Sequence, residues 1–237
     1  MPAAPRATDP PLSWENSSMR TKILATALVA TAALTLSACG GSDGGGKGDN
    51  AAAEVKGGQK SGQAIVLDQA KAKPDLVLTD TDDKKYDLLE ETEGRPTLLF
   101  FGYTHCPDVC PLTMSNVGIA VKKLSKAERE KLRVVFVSTD PARDTPKRIR
   151  SWLDAQGGTD FVGLTGDFNT IEAAARPLGI YIEKPKKEKD GSITVSHGAE
   201  VIGFSPKDDK ARWIYTTEAT ADRYAKDLPK IIEGRNP

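Results

Sequence analysis

Two cysteines, each followed by a proline, stand directly after a short apolar run, and this pattern constrains the fold more than any other stretch of the chain. Leu98 to Phe101 form the apolar run, which predicts a buried strand. Pro111 suits the first position of a helix, because its missing N–H would be unpaired there anyway. A strand, a loop that carries thiols and a helix are therefore expected in this order.

The two thiols, Cys106 and Cys110, are spaced as Cys-x-x-x-Cys, one residue wider than the usual redox motif. Their placement before a helix is typical of thioredoxin-type folds, and the positive end of the helix dipole favours thiolate over thiol. Because four residues make about one helical turn, both sulfurs can converge on a small ligand. A structural disulfide is the alternative, although so short a loop gains little from loop entropy.

The segment that begins at Met19 predicts a bacterial lipoprotein signal. Arg20 and Lys22 form a positive start, and residues 23–36 are almost all apolar or small. The Leu-Ser-Ala-Cys run that ends at Cys39 resembles a lipobox, which implies cleavage before Cys39 and lipid attachment to its sulfur. An ordinary signal peptide with Cys39 as a free thiol is the alternative. A signal normally starts a chain, so Met19 is the expected initiator.

Composition divides the chain into three parts. Residues 1–38 are an N-terminal extension and signal peptide, residues 39–62 are the lipidated cysteine with a Gly-, Ser- and Ala-rich linker, and residues 63–237 are the folded domain. The length of the last part suits one domain with a sizeable core. The formal net charge is zero and no basic patch with interleaved aromatic residues is present, so nucleic acid is excluded as an expected partner.

The pattern of the domain predicts an α/β fold. Residues 74–89 predict an N-terminal β-hairpin, and residues 132–138 a second buried strand, parallel to the first through a right-handed crossover. An inserted hairpin is expected from two apolar segments around a charged tip. The remaining predicted elements are helices at 146–157, 169–178 and 219–232, a strand at 161–164, the inserted hairpin with strands at 180–182 and 193–195, and a hairpin over 201–215.

Asp140 follows the second strand at its carboxyl end, where ligands gather in open α/β sheets. A turn explains much of this segment, because Asp144 or Thr145 can cap the helix that begins at Pro146. The sequence does not decide whether Asp140 and Arg143 support the fold or tune a site.

The chain has two histidines. His105 adjoins Cys106, but a neighbouring loop residue often points away, so ligation by His105 is not expected. His197 lies far along the chain, between two late strands. Taken alone, a single histidine is more often a hydrogen-bonded structural residue than a ligand.

Three features together resemble the Sco/SenC family of membrane-tethered copper proteins. They are the segment FFGYTHCPDVCP at 100–111, the segment VSTDPARDTP at 137–146, and the distant His197. The resemblance implies a thioredoxin-like fold with an inserted hairpin and a copper site formed by Cys106, Cys110 and His197, with Asp140 as a candidate supporting residue. Two thiolates and an imidazole suit Cu(I) and are acceptable to Cu(II). A structural zinc site more often has four ligands, and the sequence offers no fourth.

The resemblance also implies a role in the assembly of the binuclear copper site of cytochrome c oxidase. The expected partners are the copper-site subunit of that oxidase and another extracytoplasmic copper chaperone, and the expected location is the extracytoplasmic face of the cell membrane, through the lipid on Cys39. A thiol–disulfide oxidoreductase that keeps the recipient's cysteines reduced, or senses redox state, is the alternative function. A peroxidase on the same fold is the third, although nothing singles out Cys106 for peroxide reduction.

The lipobox predicts that Cys39→Ser releases the protein from membranes or leaves the precursor uncleaved, because the lipid is attached through the cysteine sulfur. Membrane fractionation with mass spectrometry of the mature N-terminus measures both outcomes. An unmodified Cys39 at the mature N-terminus of membrane-bound protein would contradict the lipoprotein interpretation.

Overall fold

The computed structural model describes residues 61–191, 193–195 and 198–237. The predicted signal segment, Cys39 and most of the predicted linker lie outside the described residues, and so does His197. No helix in the described part of the chain is both long and apolar enough to cross a membrane.

The described residues form ten strands and six helices, with a 3₁₀ turn at Arg176–Leu178. The strands are β1 Ile65–Ala72, β2 Val77–Asp80, β3 Lys85–Asp87, β4 Thr97–Gly102, β5 Arg133–Ser138, β6 Val162–Thr165, β7 Lys186–Lys187, β8 Ile193–Thr194, β9 Val201–Phe204 and β10 Lys210–Tyr215. The helices are α1 Leu88–Glu91, α2 Val109–Lys122, α3 Lys126–Lys131, α4 Pro146–Ala155, α5 Phe168–Ala175 and α6 Ala221–Ile232.

Eight of these strands form one mixed sheet in the order β1-β10-β9-β4-β5-β6-β2-β3. Its centre is parallel, because β4 pairs with β5 and β5 pairs with β6 in that sense, whereas the flanking strands pair in the antiparallel sense. The strands β7 and β8 form a separate hairpin. The crossover from β4 through α2 to β5 therefore brings the carboxyl ends of both central strands to one edge of the sheet.

Alternate residues of the central strands enter two different cores, as the period of a strand requires. On one face Leu98 and Phe100 of β4 pack with α2, α4 and α6. On the other face Leu99 and Phe101 pack with α5 and the β2–β3 hairpin. Both faces are covered, which explains why β4 is a continuous apolar run.

The predicted α/β class and thioredoxin-like architecture are confirmed, with differences at particular elements. The β2–β3 hairpin forms as expected, but it extends the main sheet through β6. The inserted hairpin pairs Lys186–Lys187 with Ile193–Thr194, and residues 180–182 are not a strand. Ile180 and Ile182 are instead buried in the second core, so packing accounts for their apolar character.

Candidate metal centre

The two thiols lie where β4 ends and α2 begins. Residues 103–108 form a loop between these elements, called the thiol loop below, and the Cys106 N–H donates to the carbonyl of Tyr103 across its turn (3.2 Å). Asp108 caps α2 by accepting from the N–H of Val109 (2.5 Å). The helix therefore begins at Val109, two residues earlier than predicted. Cys110 lies inside the first turn, since the Asp108 carboxylate supplies the cap that the prediction had placed near Cys110.

Cys106 and Cys110 are brought together as the spacing predicts. The backbone N–H of Cys110 donates to the Cys106 sulfur at 3.4 Å, and no disulfide joins the two cysteines. Cys106 is 8% exposed and is flanked by the exposed residues His105 and Pro107, whereas Cys110 is fully buried. The pair therefore combines one sulfur next to the surface with one in the core.

Cys110 packs directly against the end of β4. A Cβ atom at Gly102 would lie 3.0 Å from the Cys110 sulfur and 2.7 Å from the Phe100 ring, so only glycine fits there without a shift. Burial raises the pKa of the Cys110 thiol above its ordinary value, and a hydrogen bond from the Tyr103 backbone opposes the rise. For Cys110 this direction is opposite to the sequence-based expectation of a favoured thiolate, because burial disfavours the charged form.

Tyr103 contacts both thiols, and sequence analysis did not identify it. Its backbone hydrogen-bonds Cys110 and its side chain hydrogen-bonds Cys106. Burial raises the pKa of Tyr103 to about 12, with the neighbouring cysteines adding to the rise. The phenol is therefore neutral at physiological pH and keeps its O–H proton. Its position three residues before Cys106 could have suggested proximity, but not these contacts.

Asp140 lies in the turn after β5, at the predicted edge of the sheet, and is 1% exposed. Its carboxylate accepts from Nε of Arg143, and Nη2 of Arg143 is buried without a hydrogen-bond partner among the described residues. Burial raises the pKa of Asp140, and the Arg143 guanidinium opposes that rise. The hydrogen bonds of Asp140 join it to Ser138, Arg143 and Asp144, and none of them reaches a thiol, so its support of the thiols stays a prediction.

Asp144, which the sequence suggested as a helix cap, has a different role. Thr145 caps α4 by accepting from the N–H of Arg148 (3.3 Å). The Asp144 carboxylate is fully buried and accepts from the backbone N–H and the hydroxyl of Thr104, at 2.9 and 2.5 Å, and from the hydroxyl of Ser138 at 2.7 Å. This residue therefore joins the turn after β5 to the thiol loop.

His105 lies near the same carboxylate, on the side of the oxygen that accepts the Thr104 hydroxyl. Its Nδ1 is 3.5 Å from Asp144 Oδ1, and the side chain is about one-third exposed. His105, Asp140 and Asp144 bring three possible ligand atoms within 4.8 Å of one another. Donors from Thr104, Ser138 and Arg143 already occupy the two carboxylates, so a metal there would have to replace those bonds. The thiol pair is the better candidate for a soft metal.

The predicted third ligand, His197, lies outside the described residues. Val195, two positions earlier in the chain, is buried in the same core cluster as Cys106 and Cys110. The assignment of His197 as a ligand therefore stays a prediction. Val195 shows only that the chain two positions before His197 packs in the core that contains the thiols.

Comparison with known proteins identifies relatives across the folded part of the chain. The family model described as SCO1/SenC matches residues 66–233. A Stutzerimonas stutzeri protein, whose name describes copper binding, is 32% identical over 71% of this chain and 81% of its own length. The match spans about a third to a half of the lengths of the mitochondrial Sco proteins and of SenC.

Two solved structures are similar over most of the described region. Bradyrhizobium japonicum ScoI, determined with copper bound, is 30% identical with a TM-score of 0.60, over 68% of this chain and 99% of that protein. BsSco has a TM-score of 0.55 and 24% identity, over 70% of this chain and 96% of that protein. BsSco is described as having a disulfide switch and as a member of a family of cytochrome c oxidase assembly proteins.

Burial of the Cys110 thiol predicts a loss of stability at alkaline pH. The folded chain holds the Cys110 proton more tightly than the unfolded chain. The contribution of this proton to the free energy of unfolding is therefore complete below the unfolded pKa of about 8.5. Above that pH it declines by about 1.4 kcal/mol per pH unit. Denaturant unfolding of the reduced protein between about pH 8 and 10 measures this slope.

Cys110→Ala is the matched comparison. This substitution should remove the decline in the free energy of unfolding that starts near pH 8.5. The decline that starts near pH 10 should remain, because tyrosines ionise there in the unfolded chain. Equal slopes for the two proteins between these pH values would contradict the prediction.

Proposed function

Because the chain belongs to the SCO1/SenC family, we propose that it is a copper metallochaperone that supports assembly of the binuclear copper site of cytochrome c oxidase. The observation that carries this proposal is the pair of reduced cysteines, Cys106 and Cys110, held together at the edge of the sheet by the first turn of α2. The copper-bound state of ScoI, 30% identical over nearly all of that protein, supports copper as the metal.

The proposed copper ligands are Cys106, Cys110 and His197. Two thiolates bind Cu(I) well. An imidazole adds a third ligand, which favours binding of Cu(II), because Cu(II) prefers more ligands. Three protein ligands leave room for a ligand of the recipient to attack the metal, which a chaperone needs for release. Asp140 is proposed to support this set from the turn after β5, where it is buried beside Asp144.

The proposed location is the extracytoplasmic face of the cell membrane, through a lipid on Cys39. An oxidising compartment outside the cytoplasm is consistent with a thiol pair that can be stored either reduced or as a disulfide. The proposed partners are the copper-site subunit of the oxidase and a second extracytoplasmic copper chaperone that supplies the metal.

A second candidate function, thiol–disulfide exchange with the recipient's cysteines, is favoured by the same geometry. Cys106 is next to the surface and Cys110 lies directly behind it, as a pair of attacking and resolving thiols requires. The disulfide switch described for BsSco points in the same direction. This candidate uses both cysteines and has no need of His197.

We expect the reduced protein to bind one copper ion and to melt at a higher temperature when it is loaded, because a ligand of the folded state stabilises that state. Titration with Cu(I) and Cu(II) and metal analysis measure the number of copper ions bound per protein. Thermal unfolding measures the change in melting temperature. The protein with a Cys106–Cys110 disulfide is the control and should bind copper poorly, since the bond removes both thiolates. Absence of any shift at saturating Cu(I) and Cu(II) would contradict the chaperone proposal.

His197→Ala should separate the two candidate functions. Loss of the imidazole should weaken Cu(II) binding sharply and Cu(I) binding less, and should change the sulfur-to-copper charge-transfer absorption. Disulfide formation between Cys106 and Cys110 should survive, whereas Cys106→Ser or Cys110→Ser should abolish both properties.

Cytochrome c oxidase activity in cells that carry each variant decides between the candidates. Reduced activity with His197→Ala, restored by added copper, is the expected result. Normal activity with His197→Ala and loss with either cysteine variant would replace the metallochaperone with the thiol reductase.

A further inference from the structure

We propose that Asp144 is a positioning residue that holds the thiol loop against the turn after β5 and so sets where Cys106 presents its sulfur to Cys110. The role rests on the proposed function in so far as the thiols bind copper. It also governs disulfide formation between the thiols, which can be measured without any metal.

The Asp144 carboxylate accepts three hydrogen bonds from two segments of the chain. Oδ2 accepts from the Thr104 N–H at 2.9 Å and from the Ser138 hydroxyl at 2.7 Å, and Oδ1 accepts from the Thr104 hydroxyl at 2.5 Å. Asp144 and Ser138 are fully buried and Thr104 is nearly so. Hydrogen bonds to a charged acceptor that is shielded from solvent are among the stronger ones in proteins. One side chain therefore ties both segments together.

A carboxylate at position 144 accepts all three of these bonds without any change in the donors. Arg148 Nε donates to the Thr104 hydroxyl oxygen at 2.7 Å, which leaves the hydroxyl proton for Asp144. A carboxylate offers two accepting oxygens, whereas an amide offers one oxygen and one N–H₂ group. In one orientation the N–H₂ group opposes the Thr104 backbone N–H, which cannot turn; in the other, the Thr104 hydroxyl must rotate, and its proton loses this acceptor. The loop must then shift, or a buried donor stays unpaired.

Thr104 lies close to the Cys106 sulfur along the chain. Thr104 is two residues before Cys106, and its neighbour Tyr103 accepts the Cys106 N–H and contacts both thiols. Cys110 shares the Tyr103 contact, but it is also held by the first turn of α2 and by close packing on Gly102. Displacement of Thr104 is therefore expected to move Cys106 more than Cys110.

A purely structural role would also make Asp144 important, so a matched control is needed. Asp227 in α6 is likewise fully buried, and its carboxylate accepts from the Tyr215 hydroxyl at 3.0 Å and from Arg223 at 2.6 and 2.7 Å. These partners lie on β10 and α6, outside the thiol loop and the turn after β5. Asp227→Asn therefore removes a comparable buried charge without touching the proposed contacts.

The test compares Asp144→Asn, Asp227→Asn and the parent chain at full length. Without metal, equilibration with glutathione measures the Cys106–Cys110 couple, in which each protein disulfide that forms converts one oxidised glutathione into two reduced molecules. With Cu(II), the sulfur-to-copper charge-transfer absorption and the affinity are recorded. Thermal unfolding reports the loss of stability in each variant.

Asp144→Asn is expected to change the glutathione equilibrium constant by about tenfold, to shift the charge-transfer band and to weaken Cu(II) binding by about 10- to 100-fold. Asp227→Asn should lower the melting temperature and leave the other three readouts as in the parent. Thr104→Val, which keeps the backbone donor and removes the hydroxyl, should show a smaller shift of the same kind, and it keeps the test open if an Asp144 variant fails to fold.

Unchanged thiol equilibrium and absorption in Asp144→Asn, or equal changes in Asp227→Asn, would overturn the proposal. If the parent chain binds no copper, the metallochaperone function fails while the glutathione comparison still decides the role of Asp144. The two failures are therefore distinguishable.

Discussion

The parallel pairing of β4 with β5 is the constraint on which the rest of the site depends. Its register runs from Thr97 opposite Arg133 to Gly102 opposite Ser138, so both strands end at the same level. The thiol loop and the turn that contains Asp140 and Asp144 leave the sheet side by side. Thr139 continues the pairing by donating its N–H to the Gly102 carbonyl at 2.7 Å. Residues about 40 positions apart in sequence thus meet as neighbours.

This meeting places two carboxylates in a buried region, which is unfavourable unless donors surround them. Asp140 receives the Arg143 guanidinium, and Asp144 receives donors from Thr104 and Ser138. The polar network has a specificity that apolar packing lacks, because each donor must face a defined oxygen. Through Thr104, this network holds the loop that carries Cys106. Cys110 is also confined by Gly102, where no side chain fits.

Periodicity predicted the central strands and the helices around them because burial imposes a clear pattern on those residues. It missed β1, whose residues are exposed or half-buried along its whole length and include Asp68, Gln69 and Lys71. It also could not choose between Asp144 and Thr145 as the cap of α4, since both residue types accept from backbone N–H groups. The choice depends on Thr104, which is distant in sequence. The contacts of Tyr103 were hidden for the same reason, as they depend on how the loop turns.

The two sulfurs differ in burial, so another molecule can reach Cys106 more easily than Cys110. Cys106 adjoins exposed residues, whereas Cys110 is enclosed by Gly102 and the core. Any exchange with another molecule, whether of a metal ion or of a disulfide, must therefore take place in sequence, with Cys106 as the outer and Cys110 as the inner contact. A recipient would release the outer bond first, while the inner sulfur retains the cargo until the replacement bond has formed. Under the proposed function, a metal ion held by both sulfurs would stay bound to at least one of the two proteins throughout its transfer.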